Sequence, residues 1–377
     1  MKRILSFFFL LTLLTACAPN VVPIPVTQGP TPLPPTSNAP VIAAPGLTIV
    51  HMVDANNGWG VTDTAVVRTE DGGVTWHQAG PSGVTTLGYT ATSNFLDTQH
   101  GWILITDPKN PLAATMYRTS DGGATWTSSS VPFGSGDLHF LDANNGWIMA
   151  SLGAGAGSMG VAIFQTTDAG ATWTQTYTND PNQPNAATSL PLGGLKDGLT
   201  PLDMQNAFIG GVTYTTGAIY LYKTSDGGHS WSQVSVTAPV GYEQAQFETV
   251  GPTFVSAKDA YLPVHASSQY GVMLAVYVSH DGGATWVLTP KLIPQGGTMT
   301  FVSPSDGFVW NGTAFYVTHD GAQTWTTITP DIAFGDNFAG MDFVNATTGF
   351  VLTNDVTGVR RLYKTTNSGA NWTQLGQ

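Results

Sequence analysis

One eight-residue phrase, written most fully at residues 119–126 as TSDGGATW, constrains this chain more than any other feature. It recurs at residues 69–76 (TEDGGVTW), 166–173 (TTDAGATW), 224–231 (TSDGGHSW), 279–286 (SHDGGATW), 318–325 (THDGAQTW) and 365–372 (TTNSGANW). Successive copies start 50, 47, 58, 55, 39 and 47 residues apart. Self-similarity at that period means one supersecondary unit repeated side by side, as in a propeller or a solenoid. The phrase reads as a hairpin turn. Its acidic residue (Asp71, Asp121, Asp168, Asp226, Asp281 and Asp320, with Asn367 in the last copy) can accept hydrogen bonds from the turn's own backbone. A glycine two positions later supplies a positive φ without strain, and Ala322 stands in for it once. The closing tryptophan (Trp76, Trp126, Trp173, Trp231, Trp286, Trp325, Trp372) leads into the next strand and is expected to bury its ring against a neighbouring sheet. With 150–250 Å² per ring at about 25 cal/mol per Å², each contributes up to about 4–6 kcal/mol.

A second phrase precedes each copy of the first: Val53-Asp54 to Gly58-Trp59, Leu96-Asp97 to Gly101-Trp102, Leu141-Asp142 to Gly146-Trp147, Leu202-Asp203 to Ala207-Phe208, Val255-Ser256 to Ala260-Tyr261, Val302-Ser303 to Gly307-Phe308 and Val344-Asn345 to Gly349-Phe350. Each is a short apolar strand, a tight turn and an aromatic that opens a second strand. A third strand, such as Met116-Tyr117-Arg118, leads into the first phrase and a fourth strand follows it. The unit is four antiparallel strands, A to D, in about 47 residues. Residues 47–377 hold seven of them, which predicts an all-β, seven-bladed propeller. The expected blades cover about 47–80, 90–132, 136–178, 198–236, 250–288, 298–328 and 339–377. Blades 1 and 7 both contain four strands of their own, so closure needs no swapped strand, and residues 40–46 are free to lie along an edge. Low charge, 44 glycines and the lack of helical periodicity fit the same class.

The first 46 residues read differently. Lys2 and Arg3 precede an apolar run from Ile4 to Leu14, too short for a stable span and typical of an export signal. The run ends in Leu14-Thr15-Ala16-Cys17, which resembles a bacterial lipobox. That resemblance implies cleavage before Cys17 and its lipidation, making residues 1–17 a lipoprotein signal peptide. Cys17 is the one cysteine, so the head is expected to hold no disulfide. Residues 18–46 carry nine prolines and no charge, the composition of an extended tether that could reach about 80–90 Å. Without Lys2 and Arg3, ten basic residues face 24 acidic ones, which argues against nucleic acid or anionic lipid as a partner.

The S/T-x-D-x-G-x-T-W phrase resembles the Asp-box, or BNR, repeat of sialidases, xyloglucanases and sortilin-type propellers. Together with the second phrase, seven blades and the lipobox, it gives the chain its nearest resemblance to the photosystem II stability/assembly factor family and its bacterial relatives. The resemblance covers nearly all of residues 47–377 and implies a fold far more specifically than a function.

The strand order sorts the loops onto two faces. A–B and C–D turns share one face and are short and uniform. D–A and B–C loops share the other, where length and sequence vary and binding residues usually gather. There the candidates are Lys196 and Asp197 in the long blade 3–4 connection, Tyr242 and Glu243 in the blade 4–5 connection, Asp336, and Arg360 and Arg361 in blade 7. Trp310 is the single tryptophan outside both phrases; it is read as a core ring or as a stacking platform for a sugar or an aromatic side chain.

The sialidase resemblance implies three arginines gripping a carboxylate, a Glu-activated Tyr and an Asp acid. Arg68 and Arg118 directly precede Asp-boxes and so fall toward the uniform face, while adjacent Arg360 and Arg361 point to opposite sides, so no triad forms. A xyloglucanase-like mechanism needs two opposed carboxylates, for which Asp137, Asp197, Glu243, Glu248, Asp336 and Asp342 are available. The eight histidines lack metal-ligand spacing, and neither a metal nor a cofactor is expected. The sequence therefore reads as a lipid-anchored, extracytoplasmic propeller binding a protein partner as a scaffold, with no catalytic residues. A carbohydrate-active enzyme or a sugar-binding lectin is the alternative.

Overall fold

The computed structural model describes residues 39–87 and 91–376; Cys17, the signal segment and all but the end of the proline-rich stretch lie outside them. The described chain is almost wholly β. Four-stranded antiparallel units follow one another in chain order, each running A-B-C-D. Blade 3 is representative, with strands Gly136–Phe140, Gly146–Gly155, Ser158–Thr166 and Thr174–Thr178. Six sheets are formed, and one of them joins two such units, blades 4 and 5, which gives seven units among the described residues.

Seven hydrophobic clusters hold these units together, and each joins one blade to the next. The cluster of Trp147, Ile163, Leu199, Ile209 and Trp231 joins blades 3 and 4. That of Leu47, Met52, Trp76, Phe350, Leu352 and Leu362 joins blade 7 back to blade 1. A chain of pairwise cores that returns to its start is a closed ring, which makes the molecule a β-propeller.

The contact repeated at these seams is ring on ring. The aromatic that opens strand B of one blade lies on the last residue of strand A in the next. Trp59 stacks on Phe95 at 4.8 Å, Trp102 on Phe140 at 3.6 Å, Tyr261 on Phe301 at 3.5 Å and Phe308 on Phe343 at 3.7 Å. The Asp-box tryptophan of the second blade then meets the same phenylalanine edge-on, as Trp173 does Phe140 and Trp372 does Phe343. The expected burial of the closing tryptophans holds for Trp76, Trp231, Trp325 and Trp372 and only in part for the other three. Trp59, Trp102 and Trp147, which open strand B, are at most 1% exposed, and Trp76 matches them at 1%, whereas Trp126, Trp173 and Trp286 are only half-buried.

The turn of the first phrase is hydrogen-bonded as its residues predict, with one addition. In blade 1, Asp71 Oδ1 accepts from Thr75 N at 2.9 Å, Thr75 Oγ1 donates to Oδ2 at 2.6 Å, and Thr69 Oγ1 accepts from Gly73 N at 2.9 Å. Both residues after the acid take positive φ, not just the second. Ala169, Ala322 and Ser368 are held there at φ 61°, 68° and 61°. The N–H of the first of these residues donates to the A–B turn of its own blade, as Gly72 does to Asn56 O at 2.7 Å and Ser368 to Thr347 O at 2.9 Å. The two repeated phrases are thus bonded to each other on the uniform face. Blade 7 changes the chemistry but keeps the geometry: Asn367 Nδ2 donates to Asn371 Oδ1 at 2.8 Å, reversing the donor of the Thr-to-Asp bond.

Polar clips complete the seam between blades 7 and 1. Asp342 Oδ2 accepts from Met52 N at 2.6 Å, in the register where Asn94 Oδ1 accepts from Phe140 N between blades 2 and 3. Lys364 Nζ donates to Ala55 O at 2.9 Å. The short strand Val41–Ile42 adds to the outside of strand D of blade 1, pairing with His77 and Trp76. Strand A carries a one-residue bulge four positions before its last residue in blades 1, 4 and 7, at Thr48, Asp197 and Ala339. In blade 5 the same position is Val250, and strand A continues beyond it as Gln246–Glu248. Blades 4 and 5 therefore begin at Leu195 and Gln246, earlier than the loop-like composition suggests. The Gly-rich stretch 152–160 forms the end of a hairpin whose turn residues Ala156 and Gly157 both have positive φ.

Replacing Trp147 with Ala is expected to lower stability by about 3–5 kcal/mol in urea denaturation, and Trp286→Ala by distinctly less. Equal losses for the two would contradict the burial order.

Candidate functional site

The variable face holds a cavity of about 540 Å³ bordered by blades 5, 6 and 7. Its apolar wall comes from Met299, Trp310, Phe338 and Pro263, and Val250 lies on its rim. Thr298, Asn311, Gln295 and His265 supply polar groups, and Asp336 is its carboxylate. Position in the fold explains each of these. Val250 is the bulge residue of blade 5, Thr298 and Met299 open strand A of blade 6, and Gly335–Asn337 is a single 3-10 turn between blades 6 and 7. The His265 ring is held by Gly297, whose carbonyl lies 2.9 Å and whose N–H lies 3.3 Å from Nε2.

Of the residues singled out from sequence, Trp310 and Asp336 meet here. Trp310 is 4% exposed. Phe338 stacks on it at 5.4 Å, and Phe315 and Phe334 pack at 4.8 and 5.8 Å. It is therefore a core ring with one edge on the cavity, and an open stacking platform is ruled out because its faces are taken by other rings. Asp336 is exposed.

The cationic candidates are consumed by the fold. Arg360 Nη1 pairs with Asp63 Oδ2 at 2.7 Å and reaches Gly46 O at 3.3 Å, tying blade 7 to the B–C turn of blade 1. Arg361 Nη1 pairs with Asp355 Oδ2 at 2.9 Å within its own blade. The Thr357 hydroxyl, then Arg361, hold Asp355 well below the usual carboxylate range. Lys196 is 3% exposed, and its ammonium donates to the carbonyls of Leu192, Met159, Gly194 and Gly193 at 3.0, 3.1, 3.1 and 3.4 Å. It pins the long blade 3–4 connection and offers nothing to a ligand. Burial pulls its pKa down to about 8. Tyr242 packs against the core between blades 4 and 5, so it too is a structural ring, while Glu243 is exposed and accepts from Gly241 N at 2.9 Å.

The remaining arginines are also engaged by neighbouring side chains. Arg68 lies 5.6 Å from the Trp59 ring and 3.4 Å from Glu70, and Arg118 donates to Ser129 Oγ at 3.0 Å. Among the carboxylates, Asp137 is held by His139 at 2.8 Å and by Leu199 N at 2.7 Å. Asp342 is half-buried, and desolvation raises its pKa against the bond from Met52. Asp197 is different. It is the bulge residue of blade 4, its side chain open to solvent, and desolvation together with the charge of Glu248 pushes its pKa upward. No group of three or more metal-ligating side chains occurs among the described residues, and no described helix is long and apolar enough to cross a membrane.

The sequence reading missed His265, Met299, Asn311 and Phe338. Each sits at a repeat position that carries no distinctive residue type, and only the neighbouring blades turn them toward one cavity.

No protein-family model matches the chain, and no curated protein does. Solved structures share the fold. A structure of YCF48 bound to D1 peptide is 18% identical, with a TM-score of 0.55 over 87% of this chain and 96% of that one. A GH74 xyloglucanase from Xanthomonas campestris is 14% identical, with a TM-score of 0.59 over 89% of this chain; the chain spans about half of that enzyme's length (55%). An ulvan lyase of polysaccharide lyase family 25 is 12% identical, with a TM-score of 0.50 over 88% of this chain and 96% of that one. These likenesses show that the chain has the β-propeller fold.

The Lys196 site has a pH signature. From below pH 8, where both folded and unfolded chains carry the proton, to about 10.4, the folded chain releases it while the unfolded chain retains it. Stability is therefore expected to gain from this residue as pH rises through that window, and Lys196→Met to lose the gain. Parallel profiles for the two proteins in urea titrations across that range would refute it.

Proposed function

We propose that this protein is a non-catalytic binding platform that holds a segment of a protein partner in the cavity between blades 5, 6 and 7, in the manner of an assembly factor. The observation that carries this reading is the composition of the cavity: an apolar wall of Met299, Trp310, Phe338 and Pro263, neutral hydrogen-bonding groups around it, and Asp336 as its one carboxylate. That mixture suits a peptide side chain with its flanking backbone, and one carboxylate does not make the acid–base pair of a glycosidase. The fold it shares with YCF48, which is seen bound to D1 peptide, supports a protein ligand on such a scaffold. Lipidation at Cys17 and the proline-rich tether would keep the platform at an extracytoplasmic membrane surface, raising its local concentration for a membrane-associated partner.

One observation favours a second reading. Asp197 and Glu248 repel each other at the variable-face ends of the inner strands of blades 4 and 5, and a raised carboxyl pKa beside a second carboxylate is the property of a general acid. The xyloglucanase and the ulvan lyase show that this fold hosts glycan cleavage.

A photo-crosslinking side chain at Val250, in the full chain on its native membrane, distinguishes the two. The platform reading expects a discrete protein adduct that disappears when Thr298→Trp fills the cavity. An adduct indifferent to Thr298→Trp, or xyloglucan or ulvan cleavage that Asp197→Asn abolishes, would replace it with the enzyme reading.

A further inference from the structure

The cavity also bears on the charge of what enters it, given the platform reading on which this inference rests. Its walls contain no lysine or arginine. On one side stands exposed Asp336. The opposite rim is Val250, and blade 4 closes on that residue so tightly that a Cβ on Gly198 would collide with the Val250 carbonyl oxygen. This contact brings Asp197, the neighbour of Gly198, to the Val250 side of the mouth. Glu248, two residues before Val250, is exposed on the same stretch and near enough to Asp197 to act on its charge.

The cations that the variable face carries in blades 4 to 7 are engaged by the fold, and Lys291, on the blade 5–6 connection, lies over the Tyr316 ring at 4.8 Å. The Lys196 side chain is buried where that of Asp197 is exposed, and it ends among the carbonyls of the blade 3–4 connection. Arg360 is spent on Asp63 and Arg361 on Asp355. His265 is held by the Gly297 backbone. The result is an apolar recess between two acidic rims, inside a chain whose formal net charge is already −12.

We infer that the partner segment recognised here carries a large apolar side chain for the recess and a lysine or arginine close to it for the rims of Asp336 and of Asp197 with Glu248. The apolar side chain fills the space beside Met299 and Phe338, and the cation relieves the repulsion across the mouth. Acidic segments are rejected by the same groups, which makes the rims a specificity filter as well as an attraction.

The test is selection of short random peptides displayed on phage against the full chain in nanodiscs, with counter-selection on Thr298→Trp. Peptides that need the open cavity are expected to be enriched in Lys or Arg next to Phe, Leu, Met or Trp. Synthetic copies should bind about tenfold more weakly to Asp197→Asn/Asp336→Asn, and more weakly at high ionic strength. These isosteric changes lie on exposed carboxylates, and an unchanged thermal melt verifies that the variant is folded. Cavity-dependent peptides without basic residues, or with affinity unmoved by the double variant, would overturn this inference and leave the platform standing. Absence of any peptide that depends on the cavity would overturn both.

Discussion

Everything in this protein hangs on the contact between the first aromatic of strand B in one blade and the last side chain of strand A in the next. A four-stranded sheet has two apolar faces and cannot bury both alone, so each blade depends on the neighbour whose ring lies against its own. The stacked pairs Trp59–Phe95, Trp102–Phe140, Tyr261–Phe301 and Phe308–Phe343 set the spacing between sheets, and the Asp-box tryptophans close over them from the side. Where the series is interrupted, the seam finds another solution. Met52 takes the phenylalanine's place at the closure with Phe350, and Pro201 takes it opposite Trp147, whose indole N–H reaches Asp203 O at 3.1 Å as that of Trp59 reaches Asp97 O at 2.8 Å.

The repeated turns serve that contact by fixing where each ring enters its strand. Asp71 and its counterparts accept from backbone and hydroxyl together, which holds two successive left-handed residues that most side chains avoid. The exchange of Asp and Thr for Asn367 and Asn371 in blade 7 shows that the requirement is a hydrogen-bonded bridge across the turn and not a charge. Closure adds a requirement the other seams lack, since it joins the two ends of the chain. Asp342, Lys364 and Arg360 all donate to or accept from blade 1, so Lys364 on the uniform face and Arg360 on the variable face are both used in holding the ring shut.

That use shapes the candidate site. With Arg360, Arg361 and Lys196 bound internally, the face keeps an apolar recess and unneutralised carboxylates. A sequence gives no sign of this, because an arginine in a salt bridge and an arginine facing solvent look alike along the chain. Lys196 and Asp197 illustrate it best. Adjacent in a segment read as loop, they lie in a bulged strand that turns one into a buried plug and the other into an exposed acid. Trp310 was visible as the odd tryptophan out, but its burial under Phe338 depends on the turn at Gly335–Asn337, which no repeat position announces.

What the sequence determined by itself is the repeating part: all-β units, their number, strand order, the turn chemistry and the separation of a uniform from a variable face. Those features recur at fixed offsets, so local hydrogen bonding and the two-residue period of strands specify them before any blade meets another. Tertiary structure alone decided which rings are deepest, which charges are spent and where a cavity opens. Burial and ion pairing are properties of surfaces brought together from different blades, and the residues that meet at the cavity, from Val250 to Phe338, become neighbours only when the ring packs.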